Sequence, residues 1–471
     1  MTNPIIIWFR RDLRISDHVA LSKAIETGRP IIPVFICDPI MEALGAAPKW
    51  RFGLGVEHFA KTLAALGSRL ILRRGEPLAE LRDLIRETGA DTVYWSRAYD
   101  TDAIARDRVV KAGLQNDGID AQSHQGHVLF EPWSVANKSG GYFKVYTPFW
   151  KTVRGRQVDA CLPAPKSLSP PSEWPESDTL TDWQLGRDMR RGADVVSRYI
   201  CVGETNAQAR LDAFLDDAIG DYQRERDFPN KPSTSRLSEN LTYGEISPRM
   251  IWHSAYVAMQ KGAQGGEHFL KELVWREYAY HLMYHFPALA DQNWRSEWDT
   301  FHWLPDNENA ERWRRGMTGE PMVDAAMREL YITGTMHNRM RMIAASYLTK
   351  HLRTDWRVGR DWFADCLIDW DPAANAMGWQ WVAGCGPDAS PYFRIFNPAT
   401  QGEKFDKQQL YRKRFLLDDT RAEYRAFFAA IPKSWHITPS TPYPEPAISL
   451  ADGRKAALDA YAAMRGGVGE I

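Results

Sequence analysis

One stretch in the middle of the chain combines an acidic, a large aromatic and a basic side chain at helical spacing. Glu272, Trp275 and Arg276 stand at i, i+3 and i+4, so a helix would present all three on one face. A flat ring that stacks and charged groups that hydrogen-bond could together receive a heterocyclic base. A surface ion pair beside a core tryptophan explains the pattern equally well, so both interpretations stay open.

A basic segment follows, in a chain whose net charge is only −1. Residues 336–360 contain six Lys or Arg against one acid, Asp355, and Asn338 and Met342 are i, i+4 neighbours within them. Arginines beside aromatic rings are typical of surfaces that bind nucleic-acid phosphates. A solvated helix face is the usual explanation of a charge run, but the local excess on a neutral protein favours a functional surface.

Two short segments carry groups suited to a bound cofactor. Tyr222 and the hydroxyl-rich run 234–238 precede a helix, where hydroxyls and backbone N–H groups suit a phosphate. Helix capping explains this run better when it is taken alone. Asp369 and Asp371 have no histidine or further acid at metal-ligand spacing, so we expect no metal. Carboxylates that accept hydrogen bonds from a heterocycle or ribose fit better.

Tryptophan is concentrated in one region of the chain. Eleven of the 19 tryptophans fall between Trp252 and Trp381. A core that only needs filling would use Leu, Ile and Val, which carry no polar atom. The excess therefore indicates either a large aromatic core or a site that handles a flavin, a nucleobase or an electron.

Composition excludes several classes of protein. The 471 residues are 44% apolar and 25% charged, which is ordinary for globular domains. No apolar run approaches the roughly 18 residues that span a bilayer, and the run Ile5–Phe9 is too short for a signal peptide. Five scattered cysteines without a C-x-x-C pair indicate reduced thiols. We therefore expect a cytoplasmic protein.

The elements that must position these residues change in kind along the chain. Residues 1–130 alternate short apolar strands with amphipathic helices, which predicts a doubly wound parallel α/β sheet. The predicted strands are 5–9, 31–36, 69–72, 92–95 and 119–123, and the predicted helices are 17–27, 52–66, 76–88 and 101–116. Neither a dinucleotide-binding G-x-G-x-x-G nor a P-loop follows the first strand.

The rest of the chain predicts a connector and a second domain. Residues 131–204 are proline-rich and lose the periodic pattern, as a long linker would. Residues 205–471 show helical periodicity and predict a larger all-helical domain. Its predicted helices are 205–220, 245–261, 264–285, 321–333, 336–353, 359–369, 420–430 and 454–464.

Several long motifs resemble one family, the DNA photolyases and cryptochromes. They are IIIWFRRDLRISDHVAL at 5–21, TSRLS at 234–238, ELVWRE at 272–277, GMTGEPMVDAAMREL at 316–330, MHNRMRMIAASYL at 336–348, NAMGWQW at 375–381 and PYFRIFNPATQGEKFD at 391–406. The motifs are spread along most of the chain, from residue 5 to residue 406, in family order. The chain looks most like a bacterial branch of the family that is related to plant cryptochromes.

The resemblance implies an FAD cofactor held in a U-shape inside the helical domain. Its phosphates and adenosine side would contact Tyr222, Thr234, Ser235, Arg236, Leu237 and Ser238. Asp369 and Asp371 would surround the isoalloxazine and ribose, and Asn375 would face flavin N5.

A chain of three tryptophans is also implied by the resemblance. In the family such a chain carries an electron from the surface to the photoexcited flavin. Trp379 would be nearest the flavin, Trp356 next and Trp303 outermost. Three core tryptophans are the alternative interpretation.

The resemblance further implies a pocket for a pyrimidine dimer that is flipped out of UV-damaged DNA. Flipping a dimer costs less free energy than flipping a normal base, because the dimer already disrupts stacking. The pocket and its DNA contacts would comprise Glu272, Trp275, Asn338, Met342 and Trp381 with Arg226, Arg276, Arg339 and Arg341. Trp275 and Trp381 would pack against the fused pyrimidines. Glu272 and Asn338 would hydrogen-bond their edges, and the arginines would hold phosphates or in part serve structure.

Cyclobutane dimers are the predicted substrate. Family members that act on (6-4) photoproducts carry a histidine pair on the helix corresponding to 336–348, whereas Asn338 and Met342 occupy the matching positions here. The implied mechanism is that photoexcited FADH⁻ donates an electron to the dimer, which splits and returns it, without a proton transfer to the substrate. The alternatives are a cryptochrome photoreceptor without repair activity and a (6-4) photolyase.

Family members usually hold an antenna chromophore, a folate or a deazaflavin, at the α/β domain. A glutamate typical of folate-binding members corresponds to Ala103 here, so a folate would bind differently, for example through Trp50. We expect 5,10-methenyltetrahydrofolate as the antenna and a monomeric protein.

Overall fold

The computed structural model describes residues 2–190, 192–388 and 393–467. Its N-terminal part is a five-stranded, wholly parallel sheet in the order β3-β2-β1-β4-β5. The strands are β1 (Ile5–Phe9), β2 (Ile31–Cys37), β3 (Ile71–Arg74), β4 (Thr92–Ser96) and β5 (Asp120–His124). Helices α1 (Val19–Glu26), α2 (Pro39–Glu42), α3 (Ala46–Ala65), α4 (Pro77–Thr88) and α5 (Thr101–Asn116) connect them. The predicted doubly wound sheet is confirmed.

The central strands are apolar throughout because both faces of the sheet are covered. Every residue of β1, β2 and β4 is buried. Two separate apolar clusters lie on the two faces, with Ile5 and Ile7 in one and Ile6 and Trp8 in the other. Alternate residues of β1 therefore point to opposite layers, as the pleat requires.

The connector is more structured than its composition indicates. It carries α6 (Tyr146–Val153), α7 (Gly192–Val196) and single 3₁₀ turns at Pro132–Ser134, Leu180–Trp183 and Arg187–Met189. These elements are shorter than the window in which periodicity can be recognised in a sequence.

The C-terminal part is helical, as predicted. Its helices are α8 (Glu204–Asp217), α9 (Tyr222–Glu225), α10 (Ser238–Thr242), α11 (Pro248–Gln260), α12 (Gly266–His285), α13 (Glu308–Arg314), α14 (Pro321–Thr333), α15 (Asn338–Ser346), α16 (Trp356–Cys366), α17 (Pro372–Ala383), α18 (Pro398–Phe405), α19 (Leu410–Arg412), α20 (Ala422–Ala430) and α21 (Leu450–Gly467). Turns of π-helix at Tyr347–His351 and Lys413–Leu417 and 3₁₀ turns at Pro287–Ala290, Ser296–Thr300 and Lys433–Trp435 complete it. Within the described residues, the strand-like pairing in this part is the bridge between Leu304 and Thr354.

Two site-bearing helices differ from the prediction. Helix α16 begins three residues earlier than expected, because the Asp355 side chain accepts the backbone N–H of Arg357 at 2.8 Å and caps the helix there. Helix α17 was not predicted at all, although Asp371 caps it and Pro372 opens it. Its residues are apolar on most sides, so it lacks the amphipathic pattern by which helices are recognised.

A buried ion pair joins the two domains beside the site. Arg51 of α3 is 0% exposed, and its guanidinium donates to Glu239 at 2.6 Å and to Glu245 at 2.7 and 3.0 Å. Both carboxylates belong to the helical domain, one within α10 and one just after it. Because these buried charges are not solvated by water, they must pair with each other, and this pairing fixes α10 against the sheet domain. No helix in the described residues is long and apolar enough to cross a membrane.

Candidate functional site

The helical domain contains a cavity of about 290 Å³. The sequence-predicted residues that line it are Tyr222, Arg226, Thr234, Ser235, Arg236, Leu237, Ser238, Glu272, Asn338, Arg341 and Asp369. They come from α9, α12, α15, the first residue of α10 and the loops that follow α9 and precede α10 and α17. The fold therefore gathers residues far apart in sequence around one space.

The loop before α10 has a backbone shape that suits an anion at one side of this cavity. Arg236 adopts the left-handed region with φ of 53°, and Leu237 follows in the right-handed helical region with φ of −77°. Alternating left- and right-handed residues turn successive backbone N–H groups toward one point, which suits a phosphate. Arg210 donates to the carbonyl of Arg236 at 2.8 Å and holds the loop in this shape.

Asp369 forms the other side of the cavity and is nearly inaccessible, with a side chain that is 1% exposed. One of its carboxylate oxygens, Oδ2, accepts hydrogen bonds from Ser238 and Arg341, both at 2.7 Å. The other oxygen, Oδ1, is buried without a partner among the described residues. A buried carboxylate oxygen left unpaired is costly, so this atom is suited to accept a hydrogen bond from a bound group.

These features fit an FAD. The loop offers N–H groups for the phosphates, and the free Asp369 oxygen offers an acceptor for an N–H or a ribose hydroxyl. Residues 269–463 match the model of the FAD binding domain of DNA photolyase, and residues 5–169 match that of DNA photolyase.

The chain is similar over its whole length to proteins of this kind. It is 46% identical to the deoxyribodipyrimidine photo-lyase of Agrobacterium fabrum, with 98% of each chain covered. The crystal structure of a class III photolyase from Agrobacterium tumefaciens superposes with a TM-score of 0.91 at 45% identity, covering 99% of this chain and 98% of that one. Cryptochrome-2 of Arabidopsis thaliana is 34% identical over 88% of this chain and 71% of its own.

The chain belongs to the DNA photolyase and cryptochrome family. An FAD-binding domain is therefore part of this family member. The individual residue roles rest on the contacts that the structure gives each side chain.

Asp371 and Asn375 lie at the start of α17, one turn apart. Asp371 caps the helix by accepting the N–H of Ala374 at 2.8 Å, and it also accepts the buried hydroxyl of Tyr280. Asn375 donates its Nδ2 to the carbonyl of Arg360 at 3.1 Å. Neither residue lines the 290 Å³ cavity. Asp371 thus fixes where α17 begins, and that start sets the direction of Asn375.

The three other arginines expected to contact DNA are each paired with a carboxylate. Arg226 pairs with Glu272, Arg341 with Asp369 at 2.7 Å, and Arg339 with Asp227 at 2.6 Å. These ion pairs agree with the expectation that the arginines serve the structure in part. Any phosphate that they bind must compete with these carboxylates.

Arg276 corrects the sequence analysis. Its guanidinium donates to the His127 carbonyl at 2.8 Å and to the Glu277 carboxylate at 3.2 Å, and its side chain is only 12% exposed. Since Arg276 is one residue past Trp275 along α12, it points about a quarter turn away, toward the sheet domain. These contacts place Arg276 at the domain boundary, so the expected DNA contact is wrong for this residue.

The two tryptophans expected to contact the substrate are half-buried and each has a neighbour that the sequence analysis missed. The ring of Trp275 stacks on Tyr146 with centroids 3.7 Å apart. The Trp381 indole donates its Nε1 to the backbone carbonyl of Asp388 at 3.2 Å. Tyr146 lies in the connector, where no periodicity marked it. Met342 is half-buried on α15, one turn after Asn338.

The three tryptophans of the expected electron chain differ in burial. Trp379 and Trp356 are 2% and 0% exposed, and Trp303 is half-buried. Trp379 packs so tightly on Gly359, one turn after Trp356, that a Cβ there would lie 2.0 Å from the indole. The pairing of Leu304 with Thr354 brings Trp303 beside the start of α16, where Trp356 stands. The order of the three rings stays a prediction.

Asp369→Asn should reduce FAD retention. The asparagine amide keeps the shape of the side chain but removes its negative charge. That charge pairs with Arg341 and would strengthen a hydrogen bond from a bound donor. A hydrogen bond to a charged group contributes about 1.5–3 kcal/mol, so we expect FAD affinity to fall at least about tenfold. The flavin-to-protein absorbance ratio after dialysis measures this. Asp361→Asn, at an exposed position of α16, is the matched control, and equal FAD content in both variants would contradict the assignment.

Proposed function

We propose that this chain is a deoxyribodipyrimidine photo-lyase that splits cyclobutane pyrimidine dimers in DNA. The observation that carries the proposal is that one cavity is lined both by the phosphate-suited loop 234–238 with Asp369 and by Glu272 and Asn338. Cofactor-holding groups and groups that can read a base edge therefore face the same space. The similarity to the photo-lyase of Agrobacterium fabrum supports the same activity.

In this proposal the loop 234–238 and Tyr222 hold the FAD phosphates and adenosine side, and Asp369 holds the flavin side. Asp371 lies outside the cavity and acts by fixing the start of α17, which carries Asn375. When bound and reduced, FAD supplies, after absorbing light, the electron that splits the dimer. The protein residues bind, orient and exclude water, which is the contribution expected of a cofactor enzyme. Trp275 and Trp381 stack on the dimer, and Glu272 and Asn338 hydrogen-bond its edges.

The groups around Asn338 favour cyclobutane dimers over (6-4) photoproducts. Repair of the latter needs a proton donor beside the substrate, and His337 is the histidine that lines the cavity. Its Nδ1 accepts the backbone N–H of Arg339 at 3.2 Å, so it serves as the cap of α15. Burial lowers the pKa of His337 to about 4, so the ring is neutral near pH 7. Cyclobutane splitting needs no such proton.

A photoreceptor without repair activity is the second candidate function. The 34% identity to cryptochrome-2 of Arabidopsis thaliana favours it. Asn338 and Glu272 in the cavity argue for repair, since a photoreceptor has no dimer to hold.

We also propose a folate-type antenna. A cleft of about 350 Å³ lies at the carboxyl ends of the strands, and Arg10, Arg97 and Ala103 are among its lining residues. Crevices at this edge of open parallel sheets bind ligands. Arg97, whose side chain is 30% exposed and pairs with Glu131 at 2.8 Å, is the arginine that would exchange this carboxylate for one of a folate tail. The half-buried Trp50 on α3 is the competing location.

The antenna is tested by the absorbance of protein purified with folate present. A near-ultraviolet band in addition to that of FAD is expected. Loss of this band in Arg97→Ala would assign it to the cleft, and loss in Trp50→Ala would assign it to α3. Protein without any additional band would contradict the antenna.

Repair itself is tested with reduced, FAD-loaded protein and an oligonucleotide that contains one cyclobutane thymine dimer. Illumination should restore the thymine absorbance, and a dark sample should not change. An oligonucleotide with a (6-4) photoproduct should stay unrepaired. Protein that keeps its reduced flavin and binds the dimer, yet restores no absorbance in light, would refute repair and leave the photoreceptor candidate.

Trp356→Phe should abolish photoreduction of the bound flavin while leaving repair by chemically pre-reduced protein unchanged. The reason is that phenylalanine is much harder to oxidise than tryptophan but keeps the packing. Flavin absorbance during illumination with an external reductant measures the effect. Trp294→Phe, a half-buried packing position, is the control. Photoreduction at the original rate in Trp356→Phe would show that the electron takes another route.

A further inference from the structure

A second, smaller pocket in the helical domain has Trp381 in its wall. Its volume is about 80 Å³, and its walls come from the 3₁₀ turn Ser296–Thr300, the end of α17, the loop before α18 and the last turns of α21. Pockets for drug-sized ligands and cofactors measure roughly 300–1,000 Å³. This pocket therefore has the size for one small chemical group.

Positive charge is concentrated around this pocket. Four basic residues line it, Arg295, Lys350, Arg394 and Arg465, against one acid, Glu297. In the described part of the chain, Arg295 and Arg465 have no carboxylate partner. They differ in this from the three arginines that were expected to contact DNA, each of which is paired. An anion that enters the pocket would meet two guanidiniums without displacing a carboxylate.

Lys350 is the buried cation of the pocket, at 1% exposure. Its ammonium donates to the carbonyl of Ala383, the last residue of α17, and lies 3.7 Å from the centre of the Phe393 ring and 5.3 Å from that of Trp298. No carboxylate among the described residues pairs with it, and burial lowers its pKa well below the ordinary lysine value. A buried ammonium without a counter-ion is unfavourable, so an anion in the pocket would stabilise its charged form.

The backbone around the pocket is fixed by close contacts. Arg295 donates its backbone N–H to the carbonyl of Cys385 at 3.0 Å, which joins its loop to the chain just after α17. Gly384 has a φ of 97°, and a Cβ there would lie 2.9 Å from the Trp298 ring and 3.4 Å from the Lys350 ammonium. Glycine at 384 therefore keeps this space open and satisfies the left-handed backbone.

We propose that this pocket binds one phosphate group of the DNA strand that carries the dimer. The planar guanidinium donates two parallel hydrogen bonds to phosphate oxygens, and the volume admits one such group. The choice of DNA rests on the proposed function, in which Trp381 stacks on the dimer. Because Trp381 also lines this pocket, the phosphate belongs to a nucleotide close to the dimer. A free phosphate offers the same oxygens and is the alternative source.

Charge variants of the two unpaired arginines test the proposal. Arg295→Gln and Arg465→Gln each remove one charge, whereas Arg295→Lys and Arg465→Lys keep it. Arg454→Gln, at an exposed position three turns earlier on α21, is the matched control. The affinity of FAD-loaded protein for a single-dimer oligonucleotide is measured in the dark over a range of salt concentrations.

Each glutamine variant should weaken binding about fivefold, because it loses a charged hydrogen bond to phosphate. In the double variant, the slope of log affinity against log salt should become shallower by about 0.7–0.9, the value for one phosphate. The lysine variants should retain most of the affinity. Arg454→Gln should bind like the original protein, and FAD content should be equal in all variants.

Uncharged methylphosphonates, placed one at a time near the dimer, identify the phosphate. At one position, the substitution should weaken binding to the original protein but not to the double glutamine variant, because the partner of that charge is already absent. If every position weakens binding to both proteins equally, no phosphate occupies the pocket and the proposal is wrong.

Two further results would overturn the proposal. One is unchanged affinity and salt slope in both glutamine variants with folded, FAD-loaded protein. The other is altered inhibition by inorganic phosphate with unchanged DNA affinity, which would assign the pocket to a free phosphate. The proposed function fails separately. An original protein that repairs no dimer, while Arg295→Gln still lowers DNA affinity and the salt slope, would refute repair and leave the phosphate pocket standing.

Discussion

The site depends on one buried carboxylate. Asp369 binds Ser238 and Arg341 through a single oxygen, and its backbone carbonyl accepts the Thr242 hydroxyl at 3.1 Å. Both ends of α10, the middle of α15 and the approach to α17 are thereby held at one point. A buried negative charge must be compensated, and this requirement ties segments that are distant in sequence. The second oxygen has no hydrogen-bond partner among the described residues, so a bound ligand is the partner that we propose for it.

The rest of the domain arrangement keeps this point fixed. Arg51 anchors α10 from the sheet domain through Glu239 and Glu245. Tyr243, which follows α10, donates to the carbonyl of Ile368 at 2.6 Å, directly before Asp369. The parallel sheet therefore serves the helical site as a support, in addition to any antenna that it holds. This supporting role explains why charged residues are buried at the domain boundary of a protein whose overall charge is close to neutral.

The sequence predicts the elements that have a regular apolar pattern and the residues that lie in long motifs. It predicts less well the features that depend on tertiary contacts. The strands were predicted because both faces of the sheet demand apolar residues, and the boundaries shifted by no more than two residues, as at β3 (Ile71–Arg74). Helix α17 was not predicted because its apolar residues are spread around the helix and give no amphipathic pattern. Arg276 shares a helical turn with Trp275, and only the position of His127 across the domain boundary reveals that it points inward.

The clustered tryptophans comprise residues with proposed roles and residues that only pack. Five of the eleven clustered tryptophans carry proposed roles, and others such as Trp313 and Trp298 are buried packing residues at 0% and 4% exposure. Composition could not separate the two groups. The contacts of the rings do not separate them either, because Trp298 lies beside Trp303 and Trp313 beside Trp379, with ring centroids 6.1 Å apart in both pairs.

A crystal structure of the protein with bound FAD tests the central claim most directly. The account predicts the FAD phosphates at the backbone N–H groups of 234–238 and a flavin or ribose donor within hydrogen-bond distance of Asp369 Oδ1. An FAD bound elsewhere, or one that leaves this oxygen buried and unpaired, would contradict it.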